Sequence, residues 1–114
     1  MQAAINMAQE LNKELLNSEE YRRYRETNRR LKEDAELYGR YNEFRRRNCE
    51  MQTSEGDSNL YDEVFNLVKE YDTILQDTRV SDFMMAEQHL CNLMQEVYNA
   101  MTQGLELDYE YLEK

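Results

Sequence analysis

The sequence offers few places to turn, because its 114 residues include no proline and only three glycines. Those two residue types supply most of the fixed and left-handed backbone conformations that tight turns require. Residues that lose little side-chain freedom in a helix, such as Glu, Arg, Leu, Met and Gln, are frequent instead. The sequence therefore predicts an all-α fold, and its length predicts one domain over residues 1–114 with one modest core.

Apolar residues recur at helical spacing from the N-terminus onward. Ala4, Ala8, Leu11 and Leu15 form one stripe, which predicts a short first helix over residues 3–16. A later helix carries a second regular stripe. Its members are Leu37, Tyr41, Phe44, Asn48 and Met51.

Polar residues divide this first half into helices. Ser18, followed by Glu19 and Glu20, is typical of an N-cap with acidic residues in the first turn, so a second helix is expected from Glu19. The apolar stripe changes phase near Asp34, which predicts a bend and a third helix there instead of one continuous helix. Gly39 lies inside the third helix and is expected to mark close packing against a neighbour.

A polar segment separates the two halves of the chain. Residues 53–58, which read Thr-Ser-Glu-Gly-Asp-Ser, predict a loop. A fourth helix is expected from Leu60 onward and is closed by residues 77–79. The predicted architecture is a short N-terminal helix followed by a long antiparallel helical hairpin whose two arms meet at this loop.

The last helix is expected to begin at Ser81 or Asp82 and to end at Gly104, which suits a helix C-cap. Beyond it, Leu105, Tyr109 and Leu112 fit a continued helical stripe, and a frayed acidic tail over residues 106–114 is the equal alternative. A mean hydropathy of -1.00 leaves a thin core for such long helices, so we expect the hairpin to dimerise into a bundle. The candidate interface residues are Tyr41, Phe44, Phe83, Leu90, Met94, Val97 and Met101.

Charge divides the chain into a basic and an acidic arm. Residues 21–47 hold ten basic and five acidic residues, whereas residues 50–114 hold three basic and fifteen acidic ones. The basic arm is interpreted either as a nucleic-acid contact or as a surface that the acidic arm neutralises, and the pI near 4.6 favours the second. The candidate charged partner surface comprises Arg22, Arg25, Arg29, Arg45, Arg46 and Arg47.

The residues show no pattern for enzyme chemistry. The only histidine is His89, no glycine-rich phosphate loop exists, and no Ser or Cys lies in a strand–turn–helix context. Cys49 and Cys91 lie near the apolar stripes, where packing in a core or interface is expected and a shared metal or cluster site is the alternative. We therefore expect a protein that is not an enzyme and has no cofactor.

Neither end of the chain suggests targeting to a membrane. No stretch approaches the roughly 18–20 apolar residues that span a bilayer. The N-terminus lacks a basic region followed by an apolar stretch, so it does not read as a signal peptide. We expect a cytoplasmic protein.

Two motifs resemble one known family. They are Ser18-x-x-Tyr21-x-x-Tyr24 and Phe83-x-x-Ala86-Glu87-x-x-Leu90, within an order of helices that spans about residues 3–105. The chain resembles the YlbF/YmcA family of small helical regulators of Gram-positive bacteria. The resemblance implies a self-associating, non-enzymatic regulator with protein partners.

Members of that family influence competence, sporulation and biofilm development. Some are thought to modulate ribonuclease Y and mRNA maturation within a complex, so a paralogue or a ribonuclease is an implied partner. Some also carry an iron–sulfur cluster through cysteines near the C-terminus. This chain has no cysteine after Cys91, so cluster binding is not carried over.

Overall fold

The computed structural model describes residues 1–53 and 60–112. In these two ranges the chain forms α-helices, one short 3₁₀ turn and no strand, so the predicted all-α class is confirmed. The helices are α1 (Gln2–Leu16), α2 (Glu19–Lys32), α3 (Ala35–Thr53), α4 (Leu60–Glu70), α5 (Asp72–Leu75) and α6 (Thr78–Thr102), and the 3₁₀ turn covers Glu110–Leu112.

Side-chain caps explain where α2 and α3 begin. The Tyr21 backbone N–H donates to Ser18 Oγ at 3.1 Å, and the Leu37 backbone N–H donates to Asp34 Oδ1 at 3.1 Å. Each bond satisfies one of the amide groups that a helix leaves without a partner in its first turn. The N-cap at Ser18 and the break at Asp34 are therefore both confirmed.

The predicted fourth helix is two pieces, because α4 ends before Tyr71 and α5 begins after it. Backbone bonding is nearly continuous through the break. The Tyr71 N–H donates to Leu67 O at 3.1 Å, and the Leu75 N–H donates to Tyr71 O at 2.9 Å. An interruption of a single residue leaves the apolar spacing intact, so the sequence pattern does not reveal it.

The predicted start of the last helix was wrong by one turn. Asp77 does not close the preceding helix but caps α6, since its carboxylate accepts from the Arg79 backbone N–H at 2.9 Å. Aspartate is a favoured N-cap residue for this reason. α6 therefore begins at Thr78 and not at Ser81 or Asp82.

The far end of α6 differs by one residue from the expectation, because the C-cap is Gln103 and not Gly104. Gln103 has φ -58° and ψ 126°, Gly104 has φ +88°, and the Leu105 N–H donates to Thr102 O at 3.0 Å. These residues form a type II turn after the helix, and glycine adopts its left-handed position without a Cβ penalty. Of the predicted acidic tail 106–114, residues 106–109 form no helix, and 113–114 lie outside the described residues.

The predicted loop falls mostly outside the described residues. Thr53 is the last residue of α3, and residues 54–58 are not described. Gly39 is described, and its predicted close packing was wrong. It is exposed, and a Cβ placed on it would meet no described atom within 4 Å.

The core lies where α2, α3, α4, α5 and α6 converge. Aromatic rings form its centre, since the Phe83 ring lies 5.2 Å from the Tyr24 ring and 6.1 Å from the Tyr41 ring, centroid to centroid. Edge-on and tilted ring pairs of this kind add to the free energy of burial. The buried residues are Leu31, Leu37, Tyr41, Phe44, Leu67, Tyr71, Val80, Phe83 and Ala86.

Ion pairs show how the arms run. Asp34, after the end of α2, meets Arg79, near the start of α6, at 3.3 Å. At the other end of α2, Glu20 and His89 line one small cavity. α2 and α6 are therefore antiparallel. α3 lies against α4, and these two helices are also antiparallel. The hairpin is bent in both arms, and the molecule measures 49 × 42 × 16 Å.

Candidate interaction surfaces

The second half of α6 extends beyond the core. Within the described part of the chain, no residue after Ala86 in this helix is buried. Leu90 and Val97 are partly exposed, Met94 is 53% exposed and Met101 58% exposed. Their spacing of four, three and four residues places them on one helical face. These four predicted interface residues form a continuous apolar stripe, which we call the α6 stripe.

The other three predicted interface residues are covered by the chain itself. Phe83 has no exposed surface, Tyr41 is 2% exposed and Phe44 is 7% exposed. They form the ring cluster of the core, and this burial raises the pKa of the Tyr41 hydroxyl. They therefore offer a partner little surface in the folded chain, and a role for them at an interface stays a prediction.

α1 is the second element with little cover. None of its residues is buried against any described part of the chain. Leu11 and Leu15 are partly exposed, while Ile5 and Met7 are mostly exposed. Among the described residues, the main contacts of the helix are with α2. Isolated helices of this length are marginal in water, so the fold leaves α1 dependent on a further contact.

The outer face of α4 is a third apolar surface, and the sequence interpretation did not single it out. Tyr61, Phe65 and Val68 are exposed, and they lie at i, i+4 and i+7. The same helix buries Leu67 on its other side. The signal was present in the sequence as a second stripe, but a stripe alone does not say which of two faces meets the core.

Two arginines of the candidate charged surface form ion pairs with the acidic arm. Arg47 Nη1 lies 2.9 Å from Glu70 Oε2 and donates to the Tyr71 hydroxyl at 3.2 Å. The bond to Glu70 raises the pKa of the Arg47 guanidinium. Arg45 lies 3.8 Å from Glu87, which is half-buried on the flank of α6.

Arg45 also covers the core. Its guanidinium carbon is 4.7 Å from the Tyr41 ring centroid and 5.5 Å from the Phe83 centroid. Cations over aromatic faces are attracted by the ring quadrupole. The interpretation that the acidic arm neutralises part of the basic arm is thus supported by Arg45 and Arg47.

The remaining predicted arginines stay on the surface. Arg22 pairs with Glu19, and Arg29 lies 2.7 Å from Glu33, so both are neutralised within or just beyond α2. Arg25 lies over the Tyr21 ring at 6.0 Å. Among the described residues neither Arg25 nor Arg46 has an ion-pair partner. The six predicted arginines therefore form no single surface.

The cysteines differ from the expectation of core packing, because Cys49 and Cys91 are both exposed. A role at an interface stays a prediction. Residues 1–53 and 60–112 contain no group of three or more His, Cys, Asp or Glu side chains that could hold a metal ion.

No described helix is both long and apolar enough to cross a membrane.

Comparison with known proteins places the chain in a family. The family model described as control of competence regulator ComK, YlbF/YmcA, matches residues 4–106. The chain is also similar to a UPF0342 protein of Symbiobacterium thermophilum, at 24% identity over 106 residues, which cover 91% of this chain and 95% of the relative. No solved structure matches significantly. Because the family model covers nearly the whole chain, this protein belongs to the YlbF/YmcA family.

Proposed function

We propose that the chain is a non-enzymatic cytoplasmic regulator that binds other proteins through apolar helix faces. Its first partner is a second copy of itself, and the contact is made by α1 and the α6 stripe. The description of the matched family as a control of a competence regulator supports the regulatory role.

The observation that carries this proposal is the lack of cover over two amphipathic helices. α1 and the second half of α6 together hold apolar residues at helical spacing, and the described chain buries none of them. α1 is about 22 Å long and the α6 segment from Leu90 to Thr102 about 18–20 Å. Helices with matched lengths and single apolar faces are stable when another helix covers those faces.

The side chains that could carry catalysis support a non-enzymatic role. His89 lies on α6 beside Glu19, Glu20 and Arg23, and it is exposed. In the described ranges no Ser or Cys is hydrogen-bonded to His89, so no nucleophile is paired with that base.

We extend the proposal to developmental regulation or mRNA processing, with a paralogue or a ribonuclease as the protein partner. This extension rests on the family resemblance. Direct RNA binding by residues 22–47 is the second candidate. Arg45 and Arg47 argue against direct RNA binding, because both already form ion pairs with acidic residues of the same chain.

Self-association is tested by the pair of substitutions Met94→Glu and Val97→Glu. We expect sedimentation equilibrium to show a dimer for the parent and a monomer for this variant, because two charges on an apolar seam oppose its burial. The matched control is Gln95→Glu with Asn99→Asp, which adds the same charge on an exposed face of the same helix. A variant that keeps the parent's mass, or a monomeric parent, contradicts the proposal.

Partner binding is tested by affinity capture from lysate of the native host, with and without nuclease, read by mass spectrometry. Parent and Met94→Glu/Val97→Glu protein are compared in parallel. Proteins that survive nuclease and depend on Met94 and Val97 support the regulator proposal. Proteins that vanish with nuclease, together with enriched RNA in the untreated half, move direct RNA binding to first place.

A further inference from the structure

One groove of the surface carries two cations that have no carboxylate partner among the described residues. The groove follows α2, has a volume of about 810 Å³, and is called the α2 groove. Its lining includes the cations Arg22, Arg25, Arg29 and Lys32, the ring of Tyr21 and one acidic residue, Glu26.

The cations of the groove fall into two groups. Arg22 and Arg29 have carboxylate partners on the chain. Arg25 and Lys32 have none among the described residues, and each lies against a ring. The Lys32 ammonium is 5.6 Å from the Tyr38 ring centroid, and the Arg25 guanidinium is 6.0 Å from the Tyr21 centroid. The groove thus offers two unneutralised charges beside aromatic surface.

The C-terminal segment has the complementary composition. From Leu105 to Tyr111 the residues alternate, with Leu or Tyr at each odd position and Glu or Asp at each even one. We call residues 105–112 the acidic tail. Its apolar side chains are between 52% and 79% exposed. An ordered segment with so many exposed tyrosine and leucine side chains has no cover from its own fold.

We propose that the acidic tail of one copy binds in the α2 groove of a second copy. Its carboxylates lie against Arg25 and Lys32, and its tyrosine and leucine side chains lie against the aromatic wall. Charge complementarity carries the inference, because the chain has a net charge of -10, and Arg25 and Lys32, which have no carboxylate partner among the described residues, each lie beside a ring at this groove.

Reach favours a tail from a second copy, because the tail of the same copy cannot contact Arg25 and Lys32 together. His89 lies beside Glu20, so α6 continues about 20 Å beyond the start of α2 before it ends at Thr102. Lys32 lies about 18 Å along α2 in the opposite direction. An extended chain from Thr102 to Glu110 spans at most about 28 Å, so the acidic residues of the same copy fall short of Lys32.

The test uses a fluorescent peptide with the sequence of residues 104–112 and a full-length receptor. The receptor carries Glu106→Gln, Asp108→Asn and Glu110→Gln, so its own tail does not compete. We expect saturable binding by fluorescence anisotropy that weakens as salt rises, because exposed charge pairs are screened.

Two double substitutions in the receptor locate the binding site. Arg25→Glu with Lys32→Glu should weaken binding about tenfold. The matched control, Arg23→Glu with Arg30→Glu, makes the same charge change on the opposite face of α2 and should leave binding within about twofold. Circular dichroism checks that both variants keep their helices.

Unlabelled parent protein should displace the peptide, since its tail competes from another molecule. The proposal is overturned if the peptide does not bind, if both double variants weaken it equally, or if a peptide with Gln and Asn at the acidic positions binds as well. Failure of the parent to displace the peptide rejects binding between copies. None of these outcomes depends on the α6 stripe, so they are separate from the test of self-association.

Discussion

The two halves of α6 carry similar apolar stripes but have opposite surroundings. In the first half, Val80 and Phe83 have no exposed surface, because α2 and α3 lie against them. In the second half, Met94 and Met101 are more than half exposed, and no described helix covers them. An apolar stripe therefore marks a face that prefers burial, and only the neighbouring elements determine whether the chain buries it itself.

The difference separates two roles within one helix. The first half contributes to folding through the ring cluster around Phe83, whose ring contacts those of Tyr24 and Tyr41. The second half contributes no buried residue to that core, and its apolar surface is exposed. Substitutions in the two halves should therefore differ in both the size and the concentration dependence of their effects.

The largest effect is expected at Phe83. Phe83→Ala should lower the free energy of unfolding by about 3–5 kcal/mol, because it leaves a cavity in a closed core. Met94→Ala should change it by less than about 0.5 kcal/mol in dilute protein, with a cost that increases with protein concentration if a second copy covers the site. Urea unfolding at two protein concentrations measures both.

A milder substitution keeps the comparison measurable if Phe83→Ala does not fold. Phe83→Leu should cost less than Phe83→Ala and remain measurable. Equal costs for Phe83→Leu and Met94→Ala in dilute protein would contradict the assignment of the two halves.

The two ends of α6 differ in the same way, because only its N-terminal end lies beside the core. Asp77→Ala removes the N-cap beside the core and should lower the free energy of unfolding by about 1 kcal/mol. Gly104→Ala forces a left-handed residue to carry a Cβ, but at the free end it should only fray the last turn. Denaturant unfolding reports the first effect, and amide hydrogen exchange reports the second.

The Asp77 effect should also depend on pH. The hydrogen bond from the Arg79 side chain lowers the pKa of the Asp77 carboxyl below its ordinary value of 3.8. The stabilisation is therefore complete above pH 3.8 and is lost as the pH falls through the lower pKa of the folded state. The difference between parent and Asp77→Ala should shrink in that acidic window. A difference that stays constant to the lowest pH would contradict the role of the carboxylate.

The smallest effects distinguish two adjacent arginines. Arg45 covers the Tyr41 and Phe83 rings and pairs with Glu87, whereas Arg46 is exposed. Arg45→Ala should cost about 0.5–1 kcal/mol, discounted because the pair is partly solvated, and Arg46→Ala less than about 0.5 kcal/mol. Thermal unfolding under identical conditions compares them. The reverse order would show that the first half of α6 does not depend on its cover from α3.

Much of the fold follows from local signals in the sequence. The all-α class, the caps at Ser18 and Asp34 and the glycine after α6 depend on residues within one or two turns of each other, so they are visible without the tertiary structure. The start of α6 was placed one turn late because Asp77 fits either a loop or a cap, and only its bond to the Arg79 N–H distinguishes them.

The candidate surfaces were less predictable, because exposure depends on residues far apart in the chain. Tyr41 and Phe83, like Met94 and Met101, belong to apolar stripes with helical spacing. Tyr41 and Phe83 are nevertheless buried, whereas Met94 and Met101 are exposed. Arg45 and Arg46 are neighbours in the sequence, but only Arg45 lies over the Tyr41 and Phe83 rings and near Glu87 on α6.

The sequence by itself determined which faces of the helices are apolar, where several helices begin and end, and which arm is basic. The tertiary structure decided which apolar faces the chain covers, which arginines are neutralised, and that α1, the α6 stripe and the acidic tail are left on the surface. The physical reason is the distance along the chain over which each interaction acts. Propensity and capping act within a few residues, whereas burial and ion pairing depend on elements that the fold brings together.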